Sequence, residues 1–354
     1  MFRTCLTVLG EELRCHRLVL TVDALGDVAR TRLADAIDAV DLAPLRGSTT
    51  ANAPVGDTHS DLAFSTEASN DNASSDNLDS MIFRSLTSTV DSALYWQEPR
   101  DDAVLASVPV LPSLRPIAQF LSSHQATGWW SNALATGDQN RVHWLDESPS
   151  VQPQFLDAAG KLQRWKQAAV EDERRSASRP RDPAAPVSGA WWSIPALVQL
   201  VTSTSTVPMT GYPAGLALVE DGFGWEHARV NAIDVIRVPR VYEITGPSAW
   251  TALVARYPLT VTLSKRHDWW RATGLDVEWV MPDWLAVAED FDTVNLTVFG
   301  YLTTAGQALL AGSAHTVLAG WNPDQTYWLA DVVRQVGWQV QWRRAGDLAW
   351  WTRL

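Results

Sequence analysis

Between Arg46 and Arg84 the chain carries no Lys or Arg, and residues 47–80 are mostly Ser, Thr, Asn, Asp and Ala. Six acids in that stretch (Asp57, Asp61, Glu67, Asp71, Asp76 and Asp79) supply half of the net charge of −12. So little apolar surface cannot offset the entropy of ordering the backbone. Residues 47–80 are therefore expected to be a disordered acidic linker, and no continuous core can run through them. The sequence then divides into a small strand–helix unit over 1–46, a helical and mixed region over 81–177, and a Trp-rich α+β domain over 178–354.

Outside the linker the chain has ample material for a core. Hydrophobic residues make up 46% and charged residues only 19% of the 354. An acidic chain with three Lys and 25 Arg is not expected to bind nucleic acid, which requires clustered cations. The Arg excess speaks of codon usage, not chemistry. Cys5 and Cys15 are too few for a disulfide framework or a cysteine zinc site. The first 22 residues contain Glu11 and Glu12 within their apolar patch and lack a small-residue cleavage site, unlike a signal peptide. No uninterrupted apolar run approaches about 18 residues. A cytoplasmic protein without a membrane partner is the expectation.

Hydrophobic periodicity gives the elements. LVLTV (18–22) reads as a strand followed by a helix capped by Asp23. A short helix is expected over 113–122 and a longer one over 153–177, the latter ending in a charged, Pro-broken segment. AGLALVE (214–220), RVNAIDVIRV (229–238), RVYEI (240–244) and LTVTLS (259–264) read as strands. Gly246-Pro247-Ser248-Ala249-Trp250 opens a helix through Arg256, because Pro fits the first helical turn. Pro282-Asp283-Trp284 opens another through Glu289, with a strand after Asp292 in TVNLTVFGYL, and a looser unit starts at Asn322-Pro323-Asp324. The fold class is α+β: a mostly antiparallel sheet crossed by short helices, with the small N-terminal strand–helix unit.

Nineteen Trp exceed what a core of this size needs. They pair at 129–130, 191–192, 269–270 and 350–351, and GWWS at 128–131 echoes AWWS at 190–193. In a strand one member of each pair enters the core and the other points out, where it must be covered or stack on a ligand. Core packing accounts for most of them; Trp192, Trp269 and Trp270 are the ligand candidates because polar groups crowd them. The densest polar cluster, Ser264 to Arg271, is expected in a loop past a strand. There His267 and Asp268 form a candidate acid/base pair, and Arg266 a candidate anion ligand. The bland alternative is a solvated turn. The hydroxyl run Val201 to Thr206 suits an edge strand, or a strand whose hydroxyls line a groove.

The seven His are scattered without metal-binding spacing, and no metal site is expected. Phosphate-binding loops, dinucleotide fingerprints and nucleophile elbows are missing as well. Ser203-Thr204-Ser205, followed by strand–helix–strand units patterned P-x-W-x-x-V-A-x-D-F-D-x-V, resembles the split sheet of ADP-ribosyltransferases over about residues 185–300. The resemblance implies NAD as substrate, Ser203, Thr204 and Ser205 bracing its nicotinamide, and a downstream acid stabilising the ribosyl cation. The E-x-E at 171–173 lies upstream of Ser203, so Glu243 in RVYEI, or another acid after Ser205, would fill that role. The chain as a whole also resembles proteins of actinobacteria, which implies no activity. Three readings follow: a Trp-rich binding or scaffold module for a small molecule or protein partner, without a cofactor; an NAD-cleaving enzyme; or another enzyme built on Arg266, His267 and Asp268. An exposed hydroxyl-rich edge strand would favour a homodimer.

Overall fold

A computed structural model of the protein describes residues 75–93, 111–145 and 157–354, apart from 197, 221, 223, 347 and 348. The strand–helix unit expected over 1–46, both cysteines and most of the acidic linker lie outside the described residues. The linker's last residues belong to a helix instead. Helix α1 (Ser75–Asp91) buries Ile82, Phe83, Leu86 and Val90, a helical stripe that lies mostly beyond residue 80.

Two four-stranded sheets form the frame. The first has the order β1 (Gln139–Trp144), β3 (His227–Val235), β11 (Val333–Arg344), β12 (Trp351–Arg353), all antiparallel. The second has the order β2 (Val201–Ser203), β10 (Thr326–Trp328), β7 (Thr293–Leu296), β4 (Val241–Ile244). Its β4–β7 pair is parallel and the others antiparallel. Two small ribbons, β5 (Pro258–Thr260) with β6 (Val280–Pro282) and β8 (Leu309–Ala311) with β9 (Ala314–Thr316), complete the strands. A bridge between Asn140 and Thr204 joins the two sheets. The α+β class with mostly antiparallel sheets is what the sequence predicts.

Helix α2 (Leu111–Ser123) leads into a 3-10 segment, Gln125–Ser131. Helix α3 (Ala158–Ser176) starts where Asp331 accepts from the free N–H groups of Asp157 and Ala158, meeting the donors a helix start leaves unpaired. The helix α4 (Pro247–Arg256) carries its Pro in the first turn, as expected. Helix α6 (Trp284–Asp290) also falls where the Pro-Asp-Trp signal placed it.

Three strand expectations give way to other structure. The segment 259–264 is strand only to Thr260; Thr262–Thr273 is helix α5. Its buried face carries Ser264, Lys265, His267 and Asp268 besides Trp269 and Ala272, so the 3.6 period is written partly in polar residues and hydrophobicity does not reveal it. The segment TVNLTVFGYL is strand only to Leu296. Thr297 then accepts from the Gly300 N–H and caps helix α7 (Val298–Thr304). In AGLALVE only a 3-10 turn at Ala214–Leu216 forms.

Residues on both sides of 178 share one hydrophobic core, from Leu86 and Leu162 to Trp250 and Trp321. The boundary expected there separates no cores. The charged segment before Trp191 is instead pinned to α5, with Arg179 donating to the Ser264 carbonyl and Arg271 to the Val187 carbonyl. Trp250, Trp269, Trp279, Trp284, Trp321 and Trp328 are all fully enclosed. Trp284 contacts both Trp250 and Trp321 at ring separations of 6.5 and 5.5 Å. Most of the described Trp lie in the core or packed against it. Among the described residues no helix is long and apolar enough to cross a membrane.

Candidate functional site

The register of the second sheet lines up Glu243, Asn295, Thr326 and Ser203 as direct neighbours across all four strands. Directly opposed residues share one face of a sheet, so these strands carry a polar row across the sheet. The row is wired together. Asn295 Nδ2 donates to Glu243 Oε2 at 2.7 Å, and Thr326 Oγ1 donates to Asn295 Oδ1 at 2.9 Å. Ser203 Oγ donates to Gln139 Oε1 at 2.6 Å and accepts from Trp328 Nε1 at 2.8 Å. Glu243 Oε1 accepts from the Leu134 N–H at 2.8 Å.

A cavity of about 160 Å³ opens beside this row. Its wall includes Trp129, Asp138, Gln139, Ser205, Asn295 and Asp324. At about 30 Å³ per water it has room for roughly five waters, the scale of one ring-sized group. A second cavity, of about 30 Å³ beside Trp144, Trp225 and Arg344, has space for a single water and lies away from the row.

Consecutive residues of the hydroxyl run hold the two aspartates. Ser205 donates both its N–H and its Oγ–H to Asp324 Oδ2, each at 2.7 Å. Thr206 donates its N–H to Asp138 Oδ2 at 3.0 Å and its hydroxyl to Asp138 Oδ1 at 2.6 Å. Asn140 Nδ2 also reaches Asp138 Oδ1, at 3.2 Å. Asp324 Oδ1 makes no hydrogen bond among the described residues, although Asp324 lines the cavity. Asp324 sits at φ 60°, a left-handed conformation that Asp tolerates better than most residues.

Burial raises the Asp324 carboxyl to about 6, against the pull of the Ser205 bonds, and the charges of Asp138 and Glu243 push the same way as burial. Asp324 retains a partly exposed surface, yet protein surrounds it closely enough for desolvation to dominate. Among the described residues that line the cavity there is no Lys or Arg. Its wall offers acceptors and negative charge to whatever enters.

The structure brings some predicted residues together and separates others. Ser205 lines the cavity and Glu243 braces its wall through Asn295. Ser203 is buried in the polar row, and Thr204 accepts from the Gly215 N–H at 3.0 Å. Trp192 packs edge-on against Trp191, outside the cavity. The cluster on α5 is no loop site. His267 is buried, and among the described residues neither ring nitrogen has a hydrogen-bond partner. Its neighbour Asp268 is equally buried and accepts from Ser188 Oγ, the Gly189 N–H and Arg271. Adjacent helical residues point about 100° apart, so His267 and Asp268 form no acid/base pair; Asp268 anchors the preceding loop. Trp269 has no exposed surface and donates to the Trp191 carbonyl at 2.7 Å, which removes it as a ligand platform. Arg266 donates to the Arg181 carbonyl and lies near Asp276. Neither Arg266 nor Trp270 reaches the cavity.

Sequence reasoning missed Trp129, Asp138, Gln139, Asn295 and Asp324 as site residues. Asn295 carried a signal, an amide in the middle of a strand buried along its whole length. Asp324 lay in the Asn-Pro-Asp turn but gave no sign of facing Ser205. Among the described residues no group of three or more His, Cys, Asp and Glu is placed to hold a metal ion. Comparisons with protein-family profiles, curated proteins and solved structures found no match to this chain.

Proposed function

We propose that the chain is a small-ligand-binding protein whose site is the Asp138–Asp324 cavity. Its ligand is a neutral or cationic group rich in hydroxyls, about the size of one sugar ring. One observation carries the reading: a ring-sized cavity is lined by the carboxylates of Asp138 and Asp324 beside Trp129, with no cation in the described wall. Hydroxyl donors meet those acceptors, and an apolar ring face suits an indole. Anions are repelled.

The NAD-cleaving reading stands second. It gains from Glu243, which the β4–β7 register places beside Asn295 at the wall that Ser205 also lines. It loses because a pyrophosphate finds no cation in that wall to hold it. Titration with neutral monosaccharides and with NAD, following Trp fluorescence and free nicotinamide together, separates the two. Saturable quenching by a sugar, abolished in Trp129→Ala, is the expected result. Nicotinamide release that depends on Glu243 would replace this reading with the second. Silence towards both ligand types would refute the cavity as a site for either.

A further inference from the structure

The first sheet carries a polar surface of its own, built from residues outside the cavity. Opposed residues share a face, and alternate residues along a strand repeat it. The pairs Arg141↔Asn231, His143↔Arg229, Arg229↔Gln341 and His227↔Arg343 therefore set five basic side chains on one face of β1, β3 and β11. Among the described strand residues of that face there is no Asp or Glu, although the chain's net charge is −12. We propose that this face binds a phosphate group, with Arg229 as its central ligand and His143, Gln341 and Arg343 around it.

Two observations besides charge point to a ligand. Arg229 is half-buried in the middle of the patch and has no carboxylate partner among the described residues. Arg271, Arg334 and Arg344, by contrast, each hold one. Asn231, the next residue of β3 on this face, has no exposed surface, and neither amide atom has a hydrogen-bond partner among the described residues. Leaving a buried amide unpaired is costly. Beside it β11 bulges: the register passes from Ala232↔Val336 to Val230↔Val340, so Asn231 has no direct neighbour on that strand. Bulges re-aim side chains and interrupt pairing beside functional sites.

His143 registers the local field. Its Nε2 is buried without a hydrogen-bond partner among the described residues. Burial, and the charges of Arg141 on its own strand and Arg229 on β3, push its imidazole down to about 4. Like charges placed so close repel, and an anion among them relieves the repulsion. Neighbouring positions on the face are about 5 Å apart across strands and about 7 Å apart along them, so these long side chains reach a single anion. Gln341 and Arg343 are exposed, which leaves the patch open to solvent. A phosphate brings nearly two charges and several acceptor oxygens to donors that converge from different strands. A carboxylate brings one charge and two oxygens, and leaves donors unmet.

The test titrates the full chain by calorimetry with inorganic phosphate, phenyl phosphate and acetate, and follows the imidazole signals by NMR. Expected is saturable phosphate binding that weakens with salt, and a His143 that protonates at higher pH once phosphate is bound. Arg229→Gln should weaken binding at least about 10-fold. Arg334→Gln removes the same charge from the opposite face, where Arg334 opposes Asp234, and should leave binding nearly unchanged. Arg343→Gln, at an exposed position, gives the same contrast if Arg229→Gln does not fold. Tighter binding of phenyl phosphate assigns the site to a phosphate ester, and tighter binding of inorganic phosphate assigns it to the free ion; both uphold the proposal. It is overturned if phosphate does not saturate, if acetate binds as tightly, or if Arg334→Gln loses as much as the variants at 229 and 343. Sugar binding in the cavity is independent of each of these results.

Discussion

Trp284 and Trp250 offer a paired experiment, because both side chains are fully enclosed and in contact yet differ in one feature. Trp284 Nε1 donates to the Ser193 carbonyl at 2.9 Å. Trp250 Nε1 is buried with no hydrogen-bond partner among the described residues. Trp→Phe removes the same atoms from each and leaves similar voids. Full truncation of a buried aromatic costs about 3–5 kcal/mol, so the partial loss of an indole amounts to about 1–2 kcal/mol. At Trp284 the change also strands a buried carbonyl, at about 1–3 kcal/mol. At Trp250 it deletes an unsatisfied donor, which returns a similar penalty. Trp284→Phe is therefore expected to destabilise by about 2–5 kcal/mol and Trp250→Phe by at most about 1 kcal/mol. Urea unfolding followed by far-UV circular dichroism reads both, with unchanged m-values as the check that the same surface unfolds. Trp338, 93% exposed in β11, is the control; Trp338→Phe should stay within about 0.5 kcal/mol. Equal destabilisation at positions 284 and 250 would refute the assignment of stability to the indole hydrogen bond.

Two further outcomes test the frame around the site. Gly300→Ala would place a Cβ 2.1 Å from the Ile244 carbonyl oxygen, where α7 crosses the end of β4. Neither backbone can yield cheaply, so thermal melts should show a loss of about 2–3 kcal/mol or more. Asp292 is sealed between Arg237 and Arg240, which themselves remain half-exposed. Burial would raise its carboxyl, but the two guanidinium groups and the Arg240 N–H outweigh burial and hold it well below the usual range. Its contribution is thus present above about pH 4 and is lost as the pH falls further. Asp292→Asn should be less stable at neutral pH and show a shallower loss below about pH 4, measured by denaturant titration across pH.

Local physical chemistry made part of this protein legible in its sequence. Pro247 before Trp250, and Pro282 before Trp284, announced two helix starts, since a Pro at a helix entrance sacrifices no hydrogen bond. Alternation in RVYEI and RVNAIDVIRV gave β4 and β3. Those patterns are local, and at these positions the tertiary packing agrees with them. The hydroxyl run at 201–206 also announced itself, though not what its hydroxyls hold. Helix α5 stayed hidden because Lys265 and Asp268 occupy its buried face, where partners distant in sequence hydrogen-bond them: Ala190 for Lys265, and Ser188 and Gly189 for Asp268, which Arg271 also pairs. The candidate site depended wholly on long-range pairing. Strand order β2-β10-β7-β4 decided that Ser203, Thr326, Asn295 and Glu243 meet in one row, and no spacing along the chain encodes that order. The hydrogen bonds from Ser205 to Asp324 and from Thr206 to Asp138 span 119 and 68 residues. A carboxylate's chemistry depends on the charges, donors and solvent around it, and those neighbours exist only once the sheets have assembled.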